Sequence, residues 1–398
     1  MTILNINLFN TTMIAKGEKM SGKIDFLYLS EKDMLKAGVD DMPRCITAME
    51  DMFALLYRGD YRMGGEDANE HGVRVSFPKE SDIPGMPLHA PDYRFMAMPA
   101  YLGGRFHMFG IKSYGSHHTN REHGLPRSIL MMSLMDVDTG APIAYMSANI
   151  LSAMRTAATV GVGTKHLCCK DPQVLSIIGP GAIATYTLDA IMETQPNIKV
   201  LKVKGRGQKS LQHYMDHARS KYPGLETIVS CDTIEDACKD ADVICFCTTN
   251  AAKFEDNPRI EAAWVKKGAL VISASALLIS TDFMSASGVK VVADNYLMYE
   301  GWGGDSPLPT QKTVSTLLGM GFYDAVRENK LERSAIADMG GILTGDQAGR
   351  SSDDEIVIYA VGGMPVEDVA WAYDCYQNAK EKKIGTVLPL WDEPELMK

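Results

Sequence analysis

The stretch Gly179-Pro180-Gly181-Ala182-Ile183-Ala184 carries the first chemical signal in the chain. Two glycines stand two residues apart, with a small side chain three residues later. At a strand–turn–helix, Gly179 would make the tight turn and Gly181 would let a pyrophosphate approach the backbone. Ala184 would let helix and strand pack closely. Ala182 and Ile183 would open the helix, whose unpaired N–H groups and positive dipole end suit phosphate. Such a motif alone is weak, so its flanks must decide. The next strand runs into "LKVKGRGQKS", Leu201 to Ser210, without an acidic residue. An NAD site usually places Asp or Glu there on the ribose hydroxyl. Lys204, Arg206, Lys209 and Ser210 suit a 2′-phosphate instead, since guanidinium can grip phosphate bidentately. NADP(H) is therefore expected ahead of NAD(H), with a solvated basic loop as the plain alternative.

Other reactive residue types point less far. Of eight cysteines, Cys168 and Cys169 are adjacent, and Cys245 and Cys247 alternate in "DVICFCTT" as on one face of a buried strand. A metal reading of Cys-x-Cys needs two more ligands nearby, and none is evident, so no metal is expected. His117, His118 and His123 in "SHHTNREHG" read as a polar loop near a ligand pocket.

The elements that must position the turn are legible around it. "QVLSIIG", "KVLKVKG", "LETIVS", "DVICFCTT", "ALVISAS" and "VKVVAD" are strand-like, and several alternate with helical segments. That pattern predicts a Rossmann-type, doubly wound parallel sheet, with the glycine turn at its first strand–helix junction. Before it, residues 72–145 read as short extended runs with a hairpin at "DVDTGAP", a mostly antiparallel sheet in an α+β domain. Ser30 to Leu56 carries helical periodicity with Ser30 as N-cap. "SANILSAMRTAATVGVGTKHL" reads as a helix packed closely through small residues, and "VEDVAWAYDCYQNAKEKK" as an amphipathic helix returning to the first domain.

The 398 residues suffice for two domains. A formal charge of −10 argues against nucleic acid or an anionic membrane as partner. No apolar run approaches the roughly 20 residues that span a bilayer. The first 23 residues lack a basic segment followed by a long apolar one and read as an extension; a cytoplasmic location is expected by default.

Several blocks together resemble the ornithine cyclodeaminase/mu-crystallin family: "LSAMRTAATVGVGTKHL", "FGIKSYGSHHTN", "MDVDTGAPIAYM", and the long block beginning "GDQAGRSSDDEIVIYAVGG". The resemblance implies a substrate-binding and dimerisation domain over 24–155, completed by 360–398, and a dinucleotide-binding domain over 156–359. A homodimer built through the N-terminal sheet is implied with it. Lys112 and Arg155 align with residues that hold the substrate carboxylate and act in catalysis, and Arg74 in "GVRVSF" is the third member. Three cations converging on one pocket would repel one another unless an anion sat between them. Arg127 falls where the family faces the nicotinamide and would add a further cation for the substrate. Thr156, Thr248, Thr249 and Gly362 join the dinucleotide contacts.

One departure bears on the chemistry. Cyclodeaminases of the family carry an aspartate for the substrate amine where Ala276 stands here, and a methyl group neither takes nor gives a proton. The expected activity is hydride transfer between a nicotinamide and the alpha carbon of a carboxylate-bearing amine or imine. A cyclodeaminase-type lyase and a non-catalytic small-molecule binder are the alternatives. The segment Glu300 to Lys312, with Trp302, is longer than usual for the family and reads equally as a lid or an idle loop.

Overall fold

Ser30 starts the first helix as expected, its side chain accepting from the Asp33 amide in a capping box. The expected single helix is in fact two, Glu31–Lys36 and Met42–Tyr57. Gly38, at φ +82°, turns the chain between them, a conformation L side chains rarely adopt. The computed structural model describes residues 22–90 and 92–397, so nearly all of the expected N-terminal extension lies outside the described residues.

Two eight-stranded sheets organise the described chain. In the first, the order is Thr386–Trp391, Ile24–Leu29, Pro142–Ser147, Ser128–Met135, Met108–Ser116, Arg94–Leu102 and Tyr61–Met63, and Val73–Val75 also pairs with Arg94–Leu102. The pairings are antiparallel except between Ile24–Leu29 and Pro142–Ser147. The hairpin at "DVDTGAP" joins Ser128–Met135 to Pro142–Ser147, with Gly140 at φ +72° in its turn. Register places Met98, Lys112, Met132 and Met146 in one cross-strand row on the buried face.

The second sheet is parallel throughout. Its order is Thr227–Ser230, Val200–Lys204, Val174–Ile178, Val243–Phe246, Leu270–Ser273, Ile356–Ala360, Val289–Ala293 and Ile336–Asp338. The first strand of the series lies centrally with its successors fanning to either side, the doubly wound arrangement. Ile356–Ala360 arrives late in sequence yet inserts beside Leu270–Ser273. The chain then leaves this sheet through Gly362-Gly363, forms helix Pro365–Glu381, and ends by pairing with Ile24–Leu29.

Helix Asn149–Leu167 sits between the two sheets and explains its small residues. A Cβ on Gly163 would stand 2.6 Å from Tyr359 of the second sheet, and one on Gly161 would stand 2.9 Å from Ile46 of helix Met42–Tyr57. Both approaches are closer than real Cβ contacts allow, so glycine lets the elements meet at near-backbone distance. The 155/156 boundary expected between domains falls inside this unbroken helix, which both halves share.

Candidate active site

The glycine turn has the expected geometry. Strand Val174–Ile178 runs into Gly179 at φ +94°, where a Cβ would come 2.8 Å from the Thr248 amide nitrogen and 2.9 Å from the Cys247 carbonyl. Only glycine avoids both the strain and the clash. Gly181 is the N-cap of helix Ala182–Thr194 and makes no side-chain capping bond. A Cβ there would meet nothing within 4 Å, so the space over the turn is open. Ala182 and Ile183 are exposed and Ala184 is buried. Open space above uncapped N–H groups fits a bound pyrophosphate.

The remaining sequence-selected dinucleotide residues surround this turn unevenly. Thr248 follows strand Val243–Phe246 and is tied through its amide to Ser275 Oγ at 3.1 Å; Thr249 is exposed. Arg206 and Lys209 lie exposed between Val200–Lys204 and the first turn of helix Gln208–Lys221, with no salt bridge among the described residues. Lys204, by contrast, donates to the Asp232 carbonyl. The Thr156 hydroxyl is spent within its own helix, on the Ser152 carbonyl at 2.8 Å.

Lys112 and Arg155 are brought together and buried, at 2% and 6% exposure. The expectation that a substrate anion relieves their repulsion is incomplete, because the protein supplies its own. Asp368 lies between them, accepting from Lys112 Nζ at 2.6 Å and from Arg155 Nε at 3.0 Å. Glu367 accepts from Arg155 Nη1 at 2.5 Å. Ser152 Oγ stands 3.4 Å from both cations. Burial and the neighbouring Arg155 lower the Lys112 pKa to about 8. Burial raises Glu367 to about 7 despite Arg155, and its Oε1 has no hydrogen-bond partner among the described residues. For Arg155, burial opposes the charge but the two carboxylates outweigh it and raise the pKa.

Glu367 and Asp368 were not among the residues singled out from sequence. Their signal was an acidic pair just after Pro365 in a helix whose neighbours Val366, Val369, Ala370 and Trp371 are all buried. Asp294 was missed as well. It closes strand Val289–Ala293, is buried, and accepts from the Gly362 amide at 2.6 Å and Tyr299 Oη at 2.8 Å. Burial raises its pKa to about 6 against those bonds. The Gly362 amide is therefore already used, and a Cβ there would meet Met298 Cε at 2.4 Å.

Arg74 and Arg127 stand apart from the buried cluster. Arg74 is exposed on Val73–Val75; register across Met96 and Tyr114 puts it on the face that bears Lys112. Arg127 is half-exposed and pairs with Asp92 at 3.4 Å. Ala276 is fully buried, bridging to Leu317. In the Glu300–Lys312 segment, Trp302 lies flat on His71, with ring centroids 4.9 Å apart at 3°.

One contact joins turn side and cluster side. Gly363, at φ +76°, follows a strand of the parallel sheet, and a Cβ there would stand 2.7 Å from Arg155 Nη1. The guanidinium thus lies against the carboxyl-end rim of that sheet, where dinucleotides bind in open α/β folds.

A family model described as "Ornithine cyclodeaminase/mu-crystallin family" matches residues 39–383. The N-((2S)-2-amino-2-carboxyethyl)-L-glutamate dehydrogenase of Staphylococcus aureus is 32% identical over 301 residues, covering 75% of this chain and 82% of its own. The alanine dehydrogenase of Archaeoglobus fulgidus is 29% identical, covering 87% and 93%. Among solved structures, Thermococcus litoralis Δ1-pyrroline-2-carboxylate reductase in complex with NADH and L-proline superposes with a TM-score of 0.71 at 24% identity, over 91% of this chain and 99% of that one. An archaeal alanine dehydrogenase dimer with bound NAD gives 0.72 at 23%, over 92% and 100%. At these identities the structures establish the fold.

Proposed function

From the premise that the chain belongs to the ornithine cyclodeaminase/mu-crystallin family, we propose how it works as an NAD(P)-dependent oxidoreductase acting between an amino acid and its imine. The observation that carries the reading is the seam at Gly363, which sets the buried Lys112–Asp368–Arg155 cluster against the rim of the parallel sheet. A nicotinamide, when bound, supplies the hydride acceptor or donor. The turn at Gly179 and Gly181 would hold the pyrophosphate, assisted by the first-turn amides of Ala182, Ile183 and Ala184.

The cluster's charge suits one carboxylate. With Glu367 pushed up to about 7, a protonated Glu367 leaves two cations and one carboxylate, a net of one positive charge in a buried site. A substrate carboxylate completes that balance, held by Lys112 and Arg155, with Arg74 reaching from the same sheet face. Fixing it there presents the alpha carbon to the nicotinamide, and such orientation supplies much of the rate. Lys112, lowered to about 8, is poised to exchange a proton with the substrate nitrogen near neutral pH. Ala276 offers no carboxylate for ammonia elimination.

Two finer assignments go with this reading. NADP(H) is favoured over NAD(H), because exposed Arg206 and Lys209 flank the place of the 2′-phosphate and no acid competes. A second copy covers the sheet face opposite Lys112, where Val73, Val75, Phe95 and Ile129 are exposed side by side. An apolar surface of that kind marks an interface. The alanine dehydrogenase neighbour is a dimer.

The test is to incubate purified protein with NADPH or NADH, a panel of 2-oxo acids and amines, and follow reduced-nicotinamide absorbance. Net oxidation is expected. Ammonia release without net cofactor change would make it a lyase, and saturable binding without turnover would make it a binding protein.

A further inference from the structure

The reading above gives the substrate carboxylate its partners and sets Lys112 at the substrate nitrogen, but names no acceptor for that nitrogen's hydrogens. His71 offers one. His71 precedes strand Val73–Val75, and its ring is held flat by Trp302 from helix Tyr296–Gly303, so the two halves of the molecule meet at this stack. The charges of Lys112 and Arg155 and the backbone of Gly363, the residue that Arg155 presses against, all act on this ring. His71 Nδ1 is shut away from water and has no hydrogen-bond partner among the described residues.

Burial first, then the charges of Lys112 and Arg155, lower the ring's pKa to about 4. The imidazole is therefore neutral. The Gly363 backbone favours the protonated ring but is outweighed by burial and the two cations. In the tautomer with its hydrogen on Nε2, Nδ1 carries a lone pair without a donor. A buried acceptor left unpaired is costly, of order 1–3 kcal/mol, and is the kind of group a ligand satisfies.

We propose that His71 Nδ1 accepts a hydrogen bond from the N–H of the substrate amine or imine, so that the site selects ligands bearing nitrogen on the alpha carbon. The inference rests on the oxidoreductase reading above. It concerns binding and orientation only; no bond is made or broken at the imidazole. Trp302 acts as a positioning residue by fixing the ring plane. The substrate nitrogen would then lie between a donor, Lys112, and an acceptor, His71.

The test uses isothermal titration of the full chain, preloaded with oxidised dinucleotide, against three matched pairs of ligands. L-Alanine is compared with propionate, L-proline with cyclopentanecarboxylate, and L-glutamate with glutarate. Wild type is expected to prefer the nitrogen-bearing member of at least one pair by about tenfold, the size of one good hydrogen bond. His71→Phe keeps the stack and should abolish the preference while still binding dinucleotide and the plain acid. His71→Asn places an amide oxygen near the Nδ1 position and should retain most of it. An unchanged preference in His71→Phe would overturn the proposal, as would equal loss in both variants. Failure of wild type to bind any of the six carboxylates would instead strike at the oxidoreductase reading, a separate outcome.

Discussion

The glycine turn and the buried cation cluster are built on opposite principles. The turn is made of backbone: Gly179 and Gly181 contribute by what they lack, and open space is the working part. The cluster is made of side chains from three distant stretches, and every member depends on the charge of another. A backbone site is damaged by added atoms, whereas a side-chain site is damaged by removed ones. That contrast orders the experiments below.

The largest effect belongs to the cluster. Asp368→Ala removes the carboxylate shared by Lys112 and Arg155, and breaking a buried pair typically costs about 3–5 kcal/mol. Urea denaturation should record that loss; a change within error would mean the cations are solvated. Next comes Gly179→Ala, where left-handed backbone and a close approach to Thr248 together cost about 1–3 kcal/mol. Gly181→Ala sharpens the comparison. Nothing lies within 4 Å of the new methyl, so stability should fall by less than about 1 kcal/mol. Dinucleotide affinity should nonetheless drop about tenfold or more, as the methyl fills the pyrophosphate's space. Equal affinity would dissociate the turn from the cofactor. Smaller again, Arg206→Ala should weaken NADPH about tenfold and leave NADH unchanged in fluorescence titrations.

The cluster also makes a statement about pH. Glu367 is raised from an ordinary 4.5 to about 7, and Asp294 from 3.8 to about 6. In those windows the folded protein holds protons that the unfolded chain has released, so stability should fall as pH rises through them. Denaturation midpoints for Glu367→Gln should lose the upper part of that slope, approaching pH 7, and keep the lower part contributed by Asp294. A profile identical to wild type would mean Glu367 is ionised in the fold throughout.

How much of this was legible follows the same division. The turn was readable because glycine's permissiveness is local and the alternation of strands and helices around it is regular. Helix Asn149–Leu167 was readable through its small residues, which report close packing directly. The strand Ile356–Ala360 inserting beside Leu270–Ser273 was not, because sheet order is set by crossovers and not by the strand's own pattern. Asp368 meets Lys112 from 256 positions away, and adjacent acids near a helix start have an ordinary explanation in the helix dipole. The break at Gly38 was overlooked since helical periodicity resumes after it. Resemblance alone supplied Arg74 and Arg127; in the fold the first is exposed and the second pairs with Asp92.

The central claim is that turn and cluster serve one reaction across the Gly363 seam. A crystal structure of the protein with NADPH tests it most directly. The expected density places the pyrophosphate over Gly181 and turns nicotinamide C4 toward the space bounded by Lys112, Arg155 and His71. A nicotinamide directed away from those three residues, or a dinucleotide bound off the turn, would contradict it.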